Sequence, residues 1–214
     1  MRISQFIVNP FGENTYILWT GKGGKAIIVD PGMLDDKERN AVDEFIEKNN
    51  LVLQKILLTH QHADHILSAQ YISSKYEVPI FASSKDNILG EHLQEQVNMF
   101  GLNCQRESLY VTNNLEDGDS IELEEEKIRV LAVPGHSQGG LAYYSESSGC
   151  VLVGDSLFAQ SIGRTDLPGG DYNQLIDSIK IKLLSLPDET VIYPGHGGAT
   201  TVGDEKMYNP YIQH

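Results

Sequence analysis

Apolar and polar residues alternate through residues 3–8 and 15–19, and a short apolar run follows at 26–29, so the chain opens with three strands separated by Gly- and Asn-containing turns. Asp30-Pro31-Gly32 stops the third strand, and Asp35 or Asp36 can cap a helix whose apolar face is Ala41, Val42, Phe45 and Ile46. Residues 55–59 form a short buried strand. The spacing of Ile66, Ala69, Gln70 and Ile72 predicts one helix over about 64–76, and 78–82 returns as a strand. Residues 91–100 read as a helix closely bracketed by Gly90 and Gly101. Four strands are expected at 120–123, 128–132, 141–145 and 150–153. A helix capped by Asp171, with Gln174 three residues on, then carries the stripe Leu175, Ile176, Ile179, Leu183 and Leu186. Pro187 closes it, and 190–193 is the last strand. No internal repeat or low-complexity linker interrupts the pattern, so residues 1–214 read as one α/β domain with antiparallel sheets.

Composition narrows this picture. With 40% hydrophobic and 21% charged residues, 214 residues suffice for a sizeable buried core. No apolar run is long enough for a membrane-spanning helix. The first twenty residues alternate rather than placing an apolar block after a basic stretch, so they do not read as a signal peptide. Cys104 and Cys150 read as two reduced, buried thiols, and the expected setting is the cytoplasm. The net charge of −14 disfavours nucleic acid as a partner. The acidic run Glu122, Glu124, Glu125 and Glu126 reads as a solvated strand end.

The chemistry concentrates at strand ends. Three of the seven histidines lie in Thr59-His60-Gln61-His62-Ala63-Asp64-His65, and two more follow Pro-Gly turns, His136 and His196. Asp155 follows another strand in Gly154-Asp155-Ser156. A strand, a tight glycine turn and then a polar side chain is a way to project ligands from a sheet edge into a cleft. Neutral imidazole and carboxylate suit zinc, and carboxylate also tolerates iron or manganese. His60 and His62, two apart on extended chain, can point at one ion together with His136. Asp64 and His65, where the chain turns into a helix, point elsewhere and join His196, while Asp155 would bridge. Two divalent ions ~3.5–4 Å apart can share a hydroxide that acts as a nucleophile at neutral pH. His92 and His214 carry no such context and read as structural.

The run Thr59–His65 resembles the H-x-H-x-D-H signature of the metallo-β-lactamase superfamily, and the spacing to His136, Asp155 and His196 is similar too. The resemblance spans Asp30-Pro31-Gly32 through Pro194-Gly195-His196-Gly197 and implies an αβ/βα four-layer sandwich, with two mixed, largely antiparallel sheets flanked by helices. The segments 154–158 and 163–171, and the closing Thr200, Thr201, Gly203, Glu205 and Asn209-Pro210, resemble glyoxalase II-type hydrolases (hydroxyacylglutathione hydrolases), especially short bacterial members. That likeness implies hydrolysis of thioesters such as S-lactoylglutathione by a metal-bridging hydroxide, with Asp64 and Asp155 as catalytic carboxylates. Full-length members carry a C-terminal helical segment that supplies glutathione contacts. This sequence ends at His214, so another low-molecular-weight thiol is expected to fit equally well. Tyr143 or Tyr144 stands where the family places a glutathione-contacting tyrosine, with core packing as the alternative. Asp30 is either an orienting partner of a ligand imidazole or a turn cap. Arg164 pairs either with Asp166 or with a substrate carboxylate.

The same fold could instead host a mononuclear-iron persulfide dioxygenase using His60, His136 and Asp155. A true β-lactamase is disfavoured by Asp155 and by the expected intracellular setting, and a nuclease by the acidic charge.

Overall fold

The computed structural model describes residues 1–212, so His214 lies outside the described residues. One sheet carries β1 (Arg2–Val8), β2 (Glu13–Trp19), β3 (Lys25–Val29), β4 (Val52–Leu57), β5 (Ile80–Ala82) and β6 (Asn113–Asn114), in that spatial order. The other has the order β14 (Thr200–Thr201), β13 (Val191–Pro194), β10 (Cys150–Gly154), β9 (Leu141–Ser145), β8 (Glu126–Ala132) and β7 (Ser120–Leu123). A short hairpin, β11 (Leu157–Phe158) and β12 (Ser161–Ile162), leans out between β10 and the following helix.

Alternation along each strand divides the interior into three cores. Tyr16 and Leu18 of β2 and Ile27 and Val29 of β3 meet Val130, Tyr143 and Leu152 of the second sheet in a core between the sheets. The opposite face, Ile17, Ile28 and Ile56, packs on α1 (Asp36–Lys48), α3 (Ala69–Tyr76) and α5 (Leu93–Met99) through Val42, Ile46, Ile72 and Val97. Val151, Val153 and Ile192 do the same against Leu175, Ile179 and Leu183, on and just beyond α6 (Tyr172–Ser178). Helix, sheet, sheet and helix give the expected four-layer sandwich.

The sheets are mixed, but the "largely antiparallel" expectation holds only for the second. In the first, β3, β4, β5 and β6 pair in parallel, because the long connections through α1 and α3 allow crossovers that a hairpin could not make. The helix expected over 64–76 is broken into α2 (Ala63–Ile66) and α3. Between them the Ser68 amide donates to Pro31 O and its hydroxyl to Met33 O, tying the chain to the turn after β3. The 91–100 region holds α4 (Asn87–Glu91) and α5, separated at His92. Asp35 is the residue that caps α1, accepting from the Glu38 amide; its loss would cost about 1 kcal/mol. Beyond α6 the expected stripe runs on as a π-helical turn over Ile179–Leu183, where the Leu184 amide donates to Ile179 O. The terminal α7 (Val202–Tyr208), capped by Thr201, was not expected. Among the described residues no helix is long and apolar enough to cross a membrane.

Candidate metal centre

Strand direction delivers the ligands. β8 and β10 both run antiparallel to β9, and β13 runs parallel to β10, so all three end at the same edge of the second sheet. His136, Asp155 and His196 follow those ends. β4 of the first sheet ends beside them, where the Leu141 amide donates to Thr59 O, and passes through His60 and His62 into α2, which carries Asp64 and His65. The crevice outside the carboxyl ends of several strands is where such folds place ligands. Close approach demands glycine at position 195: a Cβ there would lie 2.2 Å from Asp155 Oδ1 and 2.7 Å from His65 Cε1. Gly135 turns the chain into His136 at φ +131°, backed against the main chain of Leu175.

The side chains gather into two sets. His62 Nδ1 lies 2.9 Å from His136 Nε2, which is 3.3 Å from His60 Nε2. Three imidazole nitrogens facing one another cannot all donate, and tetrahedral nitrogens around zinc sit about 3.3 Å apart. The second set has His196 Nε2 3.2 Å and His65 Nε2 3.8 Å from Asp64 Oδ2. Asp155 spans both: Oδ1 is 3.3 Å from His65 Nε2, and Oδ2 is 3.7 Å from His136 Nε2 and 3.6 Å from His196 Nε2. His65 Nε2 and Asp155 Oδ1 are fully buried and have no hydrogen-bond partner. Orphaned donor atoms aimed at a common point are what a divalent cation would satisfy, and the donor set fits such an ion. A cavity of about 270 Å³ opens over this cluster between Phe11, Phe100 and Leu167.

The outer nitrogens are held from behind. His136 Nδ1 donates to Arg164 O at 2.7 Å, and His196 Nδ1 to Phe11 O at 3.1 Å. A carbonyl can only accept, so Nδ1 carries a proton in each and Nε2 is turned toward the cluster. The Thr59 hydroxyl donates to Asp30 Oδ2, leaving its oxygen, 3.0 Å away, to accept from His60 Nδ1. Asp30 Oδ2 also lies 3.1 Å from His65 Nδ1, and Oδ1 accepts from the Thr59 amide. Asp30 therefore orients two imidazoles at once, from a backbone at φ +48°, a conformation uncommon outside glycine. Asp30, His60 and His65 could themselves be read as a third ligand group. The Asp30 oxygens are, however, engaged by Thr59 and by the rear nitrogen of His65, so the carboxylate stands behind the rings.

Charge differs between the sets. Burial, reinforced by the neighbouring imidazoles, holds His60 well below the usual histidine range and His62 at about 4. Burial acts the same way on His65 and His196, but there the carboxylates of Asp155 and Asp64 outweigh it and both are raised. Burial would raise Asp64 and Asp155 in turn; the facing histidines, His65 foremost, overcome it and keep both carboxyls low.

Other expectations need correction. Tyr143 does not reach the cavity: it is 0% exposed in the inter-sheet core and donates to Leu58 O at 2.5 Å. Tyr144 packs on the far side of the second sheet, under the Arg129 guanidinium. The Arg164 guanidinium forms a two-pronged pair with Asp166, so it is its carbonyl that serves the site. Cys104 is half-buried, not buried like Cys150, though both are free thiols. Glu126 is no solvated strand end: burial would raise it, but donation from Ser145, Ser147 and Ser148 and the amino terminus bring it to about 2. The residue missed altogether is Glu13. It is fully buried, with Oε1 unpartnered and 3.8 Å from His65 Nδ1, and burial raises its carboxyl well above the ordinary range. In the sequence it stands only as the first of three polar residues that open the strand, Glu13-Asn14-Thr15.

The chain is 37% identical over 213 residues to hydroxyacylglutathione hydrolase GloC of Haemophilus influenzae, covering 99% of this chain and 98% of that one. Among solved structures, the BLEG-1 B3 metallo-beta-lactamase superposes with a TM-score of 0.90 at 32% identity, covering 100% of both chains. TTHA1623, solved in a di-iron-bound form, gives 0.85 at 36% identity, covering 97% of this chain and 99% of that one. The family model of the metallo-beta-lactamase superfamily matches residues 8–196, from the end of β1 to the last histidine of the cluster, and the chain belongs to that superfamily.

Proposed function

We propose that this chain hydrolyses thioesters, S-lactoylglutathione or a related acyl thiol, with two divalent ions, zinc foremost and iron or manganese as substitutes. The observation that carries this reading is Asp155, a single carboxylate within 3.3–3.7 Å of imidazoles from both sets. His60, His62 and His136 would hold one ion, Asp64, His65 and His196 the other, and Asp155 both. When bound, such a pair supplies water activated at neutral pH and polarises the carbonyl under attack. Asp64 and Asp155, kept ionised by their histidines, bind cations without first losing a proton. Asp64, partly open to the cavity, is placed to take the proton of the attacking water. Phe11 and Phe100 meet edge to face at 5.7 Å on one side of the mouth. The name of the Haemophilus relative supports a thioester as substrate. The acidic surface supports a small molecule, not nucleic acid, as partner, and the cytoplasm is the setting in which this reading places the reaction.

The test is steady-state assay of the metal-replete protein on S-lactoylglutathione and on acyl esters of other small thiols, with metal counted on the same sample. Turnover with two ions per chain is expected. One iron per chain, no thioester turnover and oxygen consumed on glutathione persulfide would replace this reading with the dioxygenase. Hydrolysis of β-lactams alone would replace it with the activity named for BLEG-1.

A further inference from the structure

Beside the metal cluster lies a second, larger cavity of about 510 Å³, which shares His62, Phe100 and Leu167 with the first. It therefore borders the place where a scissile carbonyl would sit. Its volume falls within the roughly 300–1,000 Å³ typical of small-molecule pockets. Ile88 and Leu89 of α4, Met99 and Phe100 at the end of α5, and Leu167 and Pro168 of the loop before α6 form its walls. Ile88 and Met99 are 61% and 63% exposed, an unusual placement for large apolar side chains lining one concavity.

Within that lining Asp86, Gln96 and Gln138 are already engaged. Asp86 accepts from the Ser137 hydroxyl and the Gly139 amide. Gln96 donates to Gln61 O and Leu89 O and accepts from the Ala63 amide. Gln138 donates to Gly169 O. His92 is held to Ile88 O, and Lys85 and Glu95 stand exposed at the rim. Inside that charged rim a peptidic or phosphorylated thiol carrier would find little to replace its lost water. The hydrocarbon half of a thioester is its acyl chain, and a three-carbon hydroxyacyl group would leave most of this volume empty.

We infer that this cavity is an acyl pocket, and that the thioesters this chain handles carry an aliphatic or aromatic acyl chain longer than lactoyl. The inference rests on the hydrolase reading above for its chemistry, but not for its binding. Hydrophobic burial, at about 0.8 kcal/mol per methylene, makes each buried methylene worth about fourfold in kcat/KM.

Two measurements on the full chain test it. The first is kcat/KM for the acetyl, butyryl, hexanoyl and octanoyl thioesters of N-acetylcysteamine. It should rise at least about tenfold from acetyl to hexanoyl. In Ile88→Lys and Met99→Lys, both at exposed positions, the hexanoyl-to-acetyl ratio should fall towards one. The second is calorimetric binding of the matching ketones, in which a methylene replaces the sulfur; affinity should rise with acyl length. Thioesters hydrolysed at rates indifferent to chain length, with flat ketone affinities, would overturn the acyl pocket and leave the hydrolase standing. Ketone affinity that climbs with chain length while no thioester turns over would retain the pocket and overturn the hydrolase. A flat acyl series beside a climbing series of S-alkyl thioacetates would assign the cavity to the sulfur substituent and overturn the proposal as made.

Discussion

The two halves of the centre are built on opposite electrostatic plans. His60, His62 and His136 form an all-imidazole set whose nitrogens face one another, and burial with the neighbouring imidazoles disfavours a proton on His60 and His62. In the other half the carboxylates of Asp64 and Asp155 face His65 and His196; they raise both imidazoles, and the imidazoles keep both carboxyls low. A cation entering the first half meets free lone pairs. One entering the second competes with protons that the carboxylates favour on His65 and His196. The contrast implies tighter, less pH-dependent binding at the first half and weaker, proton-coupled binding at the second.

The largest effect that would break this contrast comes from the all-imidazole half. His60→Ala should remove one ion and lower turnover by more than the roughly 100-fold that losing an orienting partner costs. Metal content and kcat/KM measured together check it. Asp30→Asn should follow, at about 10–100-fold in metal affinity, because the carboxylate aligns His65 directly and His60 through Thr59. Competition with a chelator reads the affinity, and an unchanged affinity would remove Asp30 from the account.

The pH dependence of the metal-free chain sharpens the comparison further. His62 titrates at about 4 in the folded chain against 6.5 for an unperturbed imidazole. Between those values the unfolded chain binds more protons, so this half loses stability as pH falls from about 6.5 to about 4. His65 and His196 are raised, so their contribution has the other sign: present at low pH and lost as pH rises through their folded values. Denaturant midpoints of His62→Ala and His196→Ala across pH 4–8 should therefore depart from the parent in opposite directions. Glu126, far from the centre, gives the smallest effect. Held at about 2, it adds stability above its unfolded value of 4.5 that disappears as pH falls towards 2. Glu126→Gln should flatten that acid limb while leaving metal binding unchanged.

The sequence carried the centre more fully than the scaffold. Each ligand follows a strand and a tight turn, so local pattern alone pointed to His60, His62, Asp64, His65, His136, Asp155 and His196, and the structure brings all seven together. What it could not carry were choices made by distant chain. Leu141–Ser145 is buried on both faces, so its alternation could not say that Tyr143 looks into the core between the sheets and away from the site. The break at Ser68 depends on carbonyls of Pro31 and Met33 thirty-odd residues away. Arg164 drew notice for its guanidinium, whereas the group that touches the centre is its carbonyl, which any residue would supply.

Titrating metal-free protein with zinc, and counting bound ions in the parent and in His196→Ala, asks whether the seven side chains make two unlike ion sites that share Asp155. Two ions per chain are expected in the parent, the second taken up with release of protons, and one tightly held ion in the variant. One ion in both proteins, bound with equal affinity, would contradict it.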